Sequence, residues 1–354
     1  MRDVLAAWRP VIDREIEQLL PREIDAEYVA RAFGEPSYEY DPVAIQRALP
    51  GPIWDLLDRG GKRWRAVVCC LLIDGFGADP HEYLPYACIP EILHNGTIIV
   101  DDVEDGATMR RGESALHREA GTDVALNAGN AMYFLPLNIV AHNPGDLDAE
   151  TRLAIYEMLM YELNRTHLGQ GMDIHWHNEQ AIRMTEAQYL EMCACKTGCL
   201  GRIVARLAAL ITGQSDETER CAARYAERMS IAFQIGDDIL DIENADEDGG
   251  AFGKAVGNDI REGKKTLMAI HAASEAAPEQ AARLEELLWA DDNSDDEIRE
   301  AIDILRETDS VAYARERALE LAAEARDALR ELDIDDEIAD DLAEFTRFVI
   351  ERDV

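Results

Sequence analysis

Apolar residues recur with helical spacing along nearly the whole chain, and this constrains the fold more than any other feature. Between Asp3 and Leu20 they fall three and four apart, with Asp3 placed to cap a helix. A loop rich in Pro, Tyr and Gly is expected over 21–52. Beyond it the spacing predicts helices over 61–75, 83–105, 114–119, 123–141, 148–172, 186–213, 216–243, 264–275, 279–290, 295–306, 309–330 and 335–352. Nothing alternates convincingly with period two. No linker divides the chain, and no repeat of fixed period occurs. The expectation is one all-α domain over 1–354, with motifs over about 55–275 and an acidic helical part over about 276–354.

The 354 residues are 47% apolar, enough to bury a sizeable core, and carry a net charge of −37. So acidic a surface repels nucleic acid and anionic lipid, and suits a folded protein adapted to high salt. There are thirty arginines but only five lysines: Lys62, Lys196, Lys254, Lys264 and Lys265. The seven cysteines include C-x-C-x₃-C at Cys193, Cys195 and Cys199. No fourth ligand completes a metal site, so they read as buried helical thiols in a reducing cytosol. Met1–Pro10 lacks the apolar core of a signal peptide. The strongest apolar run, Ala66–Ile73, is far too short for a membrane span.

Two acidic clusters recur, Asp101-Asp102-Val103-Glu104-Asp105 and Asp237-Asp238-Ile239-Leu240-Asp241. Their outer carboxylates are four apart, on one face of a helix, and each cluster ends a strongly apolar segment. Like charges so close are costly without cations. Mg²⁺ takes octahedral oxygen ligands and joins one or two carboxylates to substrate phosphates, so two facing clusters can hold several ions around one diphosphate. A solvated acidic turn is the plainer alternative. The basic side of the sequence weighs against it. Gly60-Gly61-Lys62-Arg63-Trp64-Arg65, Arg110-Arg111-Gly112, Lys196-Thr197, Gly253-Lys254 and Gly263-Lys264-Lys265-Thr266 hold every lysine. The Gly-rich stretch 244–263 suits a flap closing over phosphates. No P-loop is present.

In order and spacing these motifs, with Gly169-Gln170-Gly171-Met172-Asp173 and Phe233-Gln234, resemble the trans-isoprenyl diphosphate synthases, the polyprenyl synthetase family. The resemblance covers Gly60 to about Thr266. It implies the isoprenoid synthase fold, long helices around a central apolar cavity, and head-to-tail (1′-4) condensation of isopentenyl diphosphate with an allylic diphosphate. It further implies Asp101, Asp105 and Asp237 as main Mg²⁺ ligands, with Asp102, Asp238 and Asp241 in support. Three ions are expected, with Mn²⁺ able to substitute. Lys62, Arg65, His94 and Arg111 would bind isopentenyl diphosphate. Arg110, Lys196, Lys254 and Lys264 would bind the allylic diphosphate, and Thr197 and Gln234 would face the carbocation. A cytoplasmic homodimer without a membrane span is expected. Ala66, Val100 and Asn130 depart from common family residues, but none removes a motif cation or ligand.

In this family bulky aromatics four and five residues before the first cluster stop the product at short lengths. Here Thr97 and Gly96 stand there, roughly 6–7.5 Å down the helix. Leu93, Tyr133 and Phe134 are candidate floor residues, with ordinary core packing as the alternative. Geranylgeranyl diphosphate is the expected product, a C25 or longer chain the second. Terpene cyclases and squalene-type synthases do not need the Gly-Gly-Lys-Arg-x-Arg site. Non-catalytic partner subunits lose cluster aspartates, and both clusters are whole here.

Overall fold

The computed structural model describes residues 1–243, 257–290 and 292–350. Two compact units divide the chain: Arg2–Cys70 with Asp79–Tyr156, and Met1, Leu71–Ala78 and Glu157–Val354.

The first unit opens with α1 (Arg2–Leu19). It is followed by α2 (Ala26–Phe33), α3 (Pro42–Ala48) and α4 (Pro50–Asp58), then the start of α5 (Trp64–Gly75). The loop expected over 21–52 is thus mostly helical. Asp25 and Asp41 accept from Tyr28 and Ala44 N–H and cap α2 and α3, while Pro42 and Pro50 occupy first turns, where a missing N–H costs nothing. After α5 come α6 (Leu84–Ala87), α7 (Ile89–Glu104), α8 (Leu116–Glu119), α9 (Thr122–His142) and the start of α10 (Ala149–His177). The helix expected over 83–105 breaks at Cys88, just before Pro90.

α7 packs on α9, and α8 and α4 also lie against α9. Among the described residues α9 is the one helix long and apolar enough to cross a membrane by length and composition. Between α7 and α8 a hairpin forms, β1 (Met109–Arg110) with β2 (Glu113–Ser114), antiparallel and paired Met109 to Ser114. Each strand is two residues long, too short for a period of two to show in the sequence. The two loop residues, Arg111 (φ 54°) and Gly112 (φ 80°), are both left-handed, the backbone that a tight two-residue hairpin needs. The Gly of Arg-Arg-Gly is therefore a turn residue.

The second unit is built on α13 (Asp216–Glu243), which packs against α11 (Glu186–Lys196) and α12 (Gly198–Ile211). Further along come α14 (Asn258–Arg261), α15 (Leu267–Glu275), α16 (Pro278–Trp289), α17 (Asp295–Glu307), α18 (Ser310–Arg330) and α19 (Asp336–Ile350). α18 and α19 also lie on α13. Capping boxes at Thr185 and Ser294 start α11 and α17. The helix expected over 186–213 is two helices that meet at Thr197. All seven cysteines are free and buried, as helical thiols should be.

Candidate active site

The first aspartate cluster closes α7. Asp101 and Asp105 bracket its last turn, the Asp105 N–H donating to the Asp101 carbonyl at 2.8 Å, and both side chains are half-buried. Asp102 points inward and is 2% exposed. Its Oδ1 accepts from Arg110 Nε at 2.7 Å and from Arg110 Nη2. Burial pushes the Asp102 carboxyl above its ordinary range, and the Arg110 guanidinium opposes that. Arg110 is thus bonded to the middle aspartate, and the hairpin is what aims it there.

The same hairpin aims Arg111 the other way. Its Nη2 donates to Asn95 Oδ1 at 3.0 Å, and its Nη1 to the carbonyls of Leu56 and Gly60. Burial and neighbouring arginines lower Arg111 to about 10. Gly60 (φ 91°) and Gly61 (φ 146°) turn the chain so that Lys62 is exposed while Arg63 and Arg65 are buried. Arg63 Nε donates to Asp13 Oδ1 of α1 at 2.7 Å. His94 lies among Arg63, Arg65, Arg110 and Arg111. Burial first, and then these cations, hold its imidazole well below its usual pKa, so it is neutral.

Three residues that the motifs did not single out organise this cation cluster. Glu91, 3% exposed, accepts from the Arg65 and Ala66 N–H at 2.9 and 3.4 Å, at the start of α5. Asn95 holds Arg111. Arg59 donates to the Ser114 carbonyl at 2.6 Å and pairs with Asp55, pinning the hairpin to the end of α4. A lone carboxylate within the apolar stretch Ile89–Leu93 was the signal for Glu91 in the sequence.

The chain-length candidates lie on α7 and α9. Leu93 is buried, Thr97 Oγ1 donates to the His94 carbonyl at 2.8 Å, and Tyr133 is half-buried. Two expectations are corrected. Gly96 sits where α7 crosses α9: a Cβ there would lie 2.7 Å from Met132 Cβ and 3.0 Å from the Gly129 carbonyl oxygen, so it faces a helix and not an open wall. Phe134 is 68% exposed, on the outer face of α9, and forms no floor within this chain.

The second cluster lies on the last turns of α13. Asp237 is half-buried. Asp238, buried, accepts from Gln234 Nε2 at 2.9 Å and from the Tyr189 hydroxyl at 3.1 Å. Burial and the nearby Asp259 hold its carboxyl well above the ordinary range. Asp241 accepts from the Asn258 and Asp259 N–H at 3.2 and 3.0 Å, holding the start of α14. Lys264 Nζ lies 2.7 Å from Glu262 and 3.4 Å from Asp259. Lys265 donates to the Trp176 and Glu179 carbonyls at the end of α10, which makes it a helix cap. Lys254, and the expected flap as far as residue 256, lie outside the described residues.

Lys196 ends α11, and its Nζ lies 2.6 Å from Asp173 Oδ2. The Thr197 hydroxyl, at the break, donates to Gln234 Oε1 at 3.3 Å. Gly169 explains the first letter of its motif: a Cβ there would collide with the Lys196 nitrogen and lie 2.9 Å from the Cys195 carbonyl carbon. In this unit Asp238, Gln234 and Thr197 form one bonded chain, and Lys196, paired with Asp173, is the residue before Thr197.

Among the described residues, no three His, Cys, Asp or Glu side chains form a closed metal cage. The partly exposed Asp101, Asp105 and Asp237 are hard oxygen donors of the kind Mg²⁺ shares with phosphate and water, so the donor chemistry fits.

The polyprenyl synthetase family model matches residues 46–305. A short chain isoprenyl diphosphate synthase of Methanocaldococcus jannaschii is 35% identical over 73% of this chain and 76% of its own. A geranylgeranyl diphosphate synthase of Saccharolobus solfataricus is 30% identical over 84% of this chain and 88% of its own. The crystal structure of geranylgeranyl pyrophosphate synthetase from Pyrococcus horikoshii superposes with a TM-score of 0.84 at 27% identity, covering 99% of each chain. The chain belongs to the polyprenyl synthetase family, the trans-isoprenyl diphosphate synthases.

Proposed function

We propose that the protein condenses isopentenyl diphosphate head-to-tail (1′-4) with an allylic diphosphate, releasing diphosphate and building all-trans geranylgeranyl diphosphate. The observation that carries this reading is that both Asp-Asp-x-x-Asp motifs are whole and each has cations of its own close by. Geranylgeranyl synthases among the archaeal relatives support the C20 product.

Asp101, Asp105 and Asp237 would hold Mg²⁺, three ions in all, with Mn²⁺ able to replace it. Bound Mg²⁺ supplies charge neutralisation for a leaving diphosphate. Asp102, Asp238 and Asp241 act behind these ligands, seating Arg110, Gln234 and the start of α14. Lys62, Arg65 and Arg111 bind isopentenyl diphosphate as cations, and neutral His94 serves as a hydrogen-bond donor among them. Arg110, Lys196, Lys254 and Lys264 bind the allylic diphosphate, exchanging carboxylate partners for phosphate oxygens. Once the allylic cation forms, Thr197 and Gln234 present oxygen dipoles to it, and the double bond of isopentenyl diphosphate attacks. The released diphosphate takes the final proton, so no Ser, Cys or His nucleophile is needed.

A homodimer in the cytoplasm is the expected state. Leu153, Met160, Tyr161 and Leu168 support the dimer: all are strongly exposed on α10 and recur at seven- and eight-residue steps.

The deciding assay gives the purified protein Mg²⁺, isopentenyl diphosphate and a C5, C10 or C15 partner in high salt. A C20 product is expected, and a C25 product would move the chain to the longer-chain synthases. Asp101→Ala and Asp237→Ala should each lower turnover by orders of magnitude while circular dichroism stays helical. Retained turnover would sink the mechanism.

A further inference from the structure

The break between α11 and α12 is held from behind by a buried arginine that the condensation chemistry does not call for. Arg202 stands in the second turn of α12 and is 6% exposed. Its guanidinium reaches back across the break. Nη1 donates to the Ala194 carbonyl, in the last turn of α11, at 2.9 Å, and also to Glu227 on α13. Nε donates to Glu162 Oε2 on α10 at 2.9 Å, and Nη2 lies 2.7 Å from the same oxygen. One side chain thus joins α10, α11 and α13 from its place on α12.

The surroundings are built to fit. Glu162 is 1% exposed, and its other oxygen accepts from Arg206 at 2.9 Å. At Gly198 a Cβ would lie 3.2 Å from Glu227 Cγ and 3.5 Å from Arg202 Nη1, so a small residue leaves the guanidinium its seat. The Thr166 hydroxyl donates to Cys199 Sγ at 2.8 Å, and that thiol in turn donates to the Lys196 carbonyl at 3.2 Å.

Ion pairs this deep lose more hydration than they regain unless fully bonded, and apolar residues of equal volume often serve stability as well. Stability is therefore a weak reason for the cluster, and its position supplies a better one. We propose that Arg202, clamped by Glu162 and Glu227, is a positioning residue for the substrate-binding step at Lys196 and Thr197. It fixes the angle at which α12 leaves α11, and so the seats of the Lys196 ammonium and the Thr197 hydroxyl. This rests on the reading that Lys196 and Thr197 act on the allylic diphosphate.

Arg202→Lys tests it, because lysine keeps the charge near Glu162 but cannot fork to Ala194, Glu162 and Glu227 together. KM for the allylic diphosphate should rise on the order of tenfold while KM for isopentenyl diphosphate stays within about twofold. The double variant Lys196→Ala/Arg202→Lys should bind the allylic substrate no worse than Lys196→Ala alone, since both changes act through one contact. Should Arg202→Lys fail to fold, Glu227→Gln, which leaves the Arg202–Glu162 pair whole, carries the same comparison. A variant that melts earlier with both KM values unchanged, or effects that add to those of Lys196→Ala, overturns the inference alone. A Lys196→Ala enzyme with unaltered allylic KM overturns the reading of Lys196, and the inference with it.

Discussion

Asp101 and Asp102 are neighbours in sequence with different occupations. Asp101 is half-buried at the rim, while Asp102 is sealed against Arg110. Asp102→Asn should therefore cost about 2 kcal/mol in urea unfolding, since it weakens a buried charge-assisted bond; an unchanged midpoint would show that Arg110 finds another partner. His94 gives the pH dependence. Its folded pKa is depressed, so the folded protein holds it neutral while the unfolded chain takes up a proton near pH 6.5. Below that the unfolded state binds more protons, and stability falls with pH, approaching about 1.4 kcal/mol per unit for this one group. The stability of the parent relative to His94→Asn, read from the urea midpoints, should therefore fall from pH 8 to pH 5, because only the parent carries this loss. A constant difference would mean that folding leaves the His94 pKa at its unfolded value. Neither distinction was legible in the sequence. A row of aspartates carries no record of which one faces inward, and that depends on a hairpin whose only mark is Arg111-Gly112.

At the scale of helices, periodicity found most of the long elements within a few residues, because burial of one face dominates their placement. It missed the breaks at Cys88 and Thr197, where apolar residues continue through the junction and only Pro90 or a threonine–glycine step marks the change. It also passed over α2, α3 and α4, whose lengths of 8, 7 and 9 residues are too short for a period to stand out. Contacts between helices carry two predictions. Gly169→Ala should destabilise by about 1–3 kcal/mol through overpacking, and should reduce turnover further by displacing Lys196. Thermal melting and kinetics on one preparation separate the two effects. Gly96→Phe should fail by the same cause: it drives α7 from α9, so a lower melting temperature is expected in place of a clean shortening of the product. A shortened product at parental stability would restore Gly96 to the chain-length wall.

Across the molecule, 72 acidic residues against 35 basic ones make self-repulsion a standing cost of the folded state. Screening shortens from about 10 Å at 0.1 M salt to about 3 Å at 1 M, so the melting temperature should climb steadily over that range of KCl. A flat or falling curve would remove salt adaptation from the account. The charge was fully legible in composition. The family was legible too, because its motifs are local strings. What the strings could not carry is the support behind them, the roles of Glu91, Asn95, Arg59 and Arg202, since each meets its partner across sequence gaps that no spacing encodes.

The bonds from Tyr189 through Asp238 and Gln234 to Thr197 have a direction. Asp238 Oδ1 accepts from the Gln234 amide nitrogen, and this turns that side chain's oxygen toward Thr197. The Thr197 hydrogen is spent on that oxygen. What remains at Thr197 is a pair of lone pairs and no hydrogen to give. A hydroxyl wired this way is a fixed negative pole that can neither rotate toward a bound cation nor donate a proton to it. The same threonine with a freely turning hydroxyl would lack that polarity.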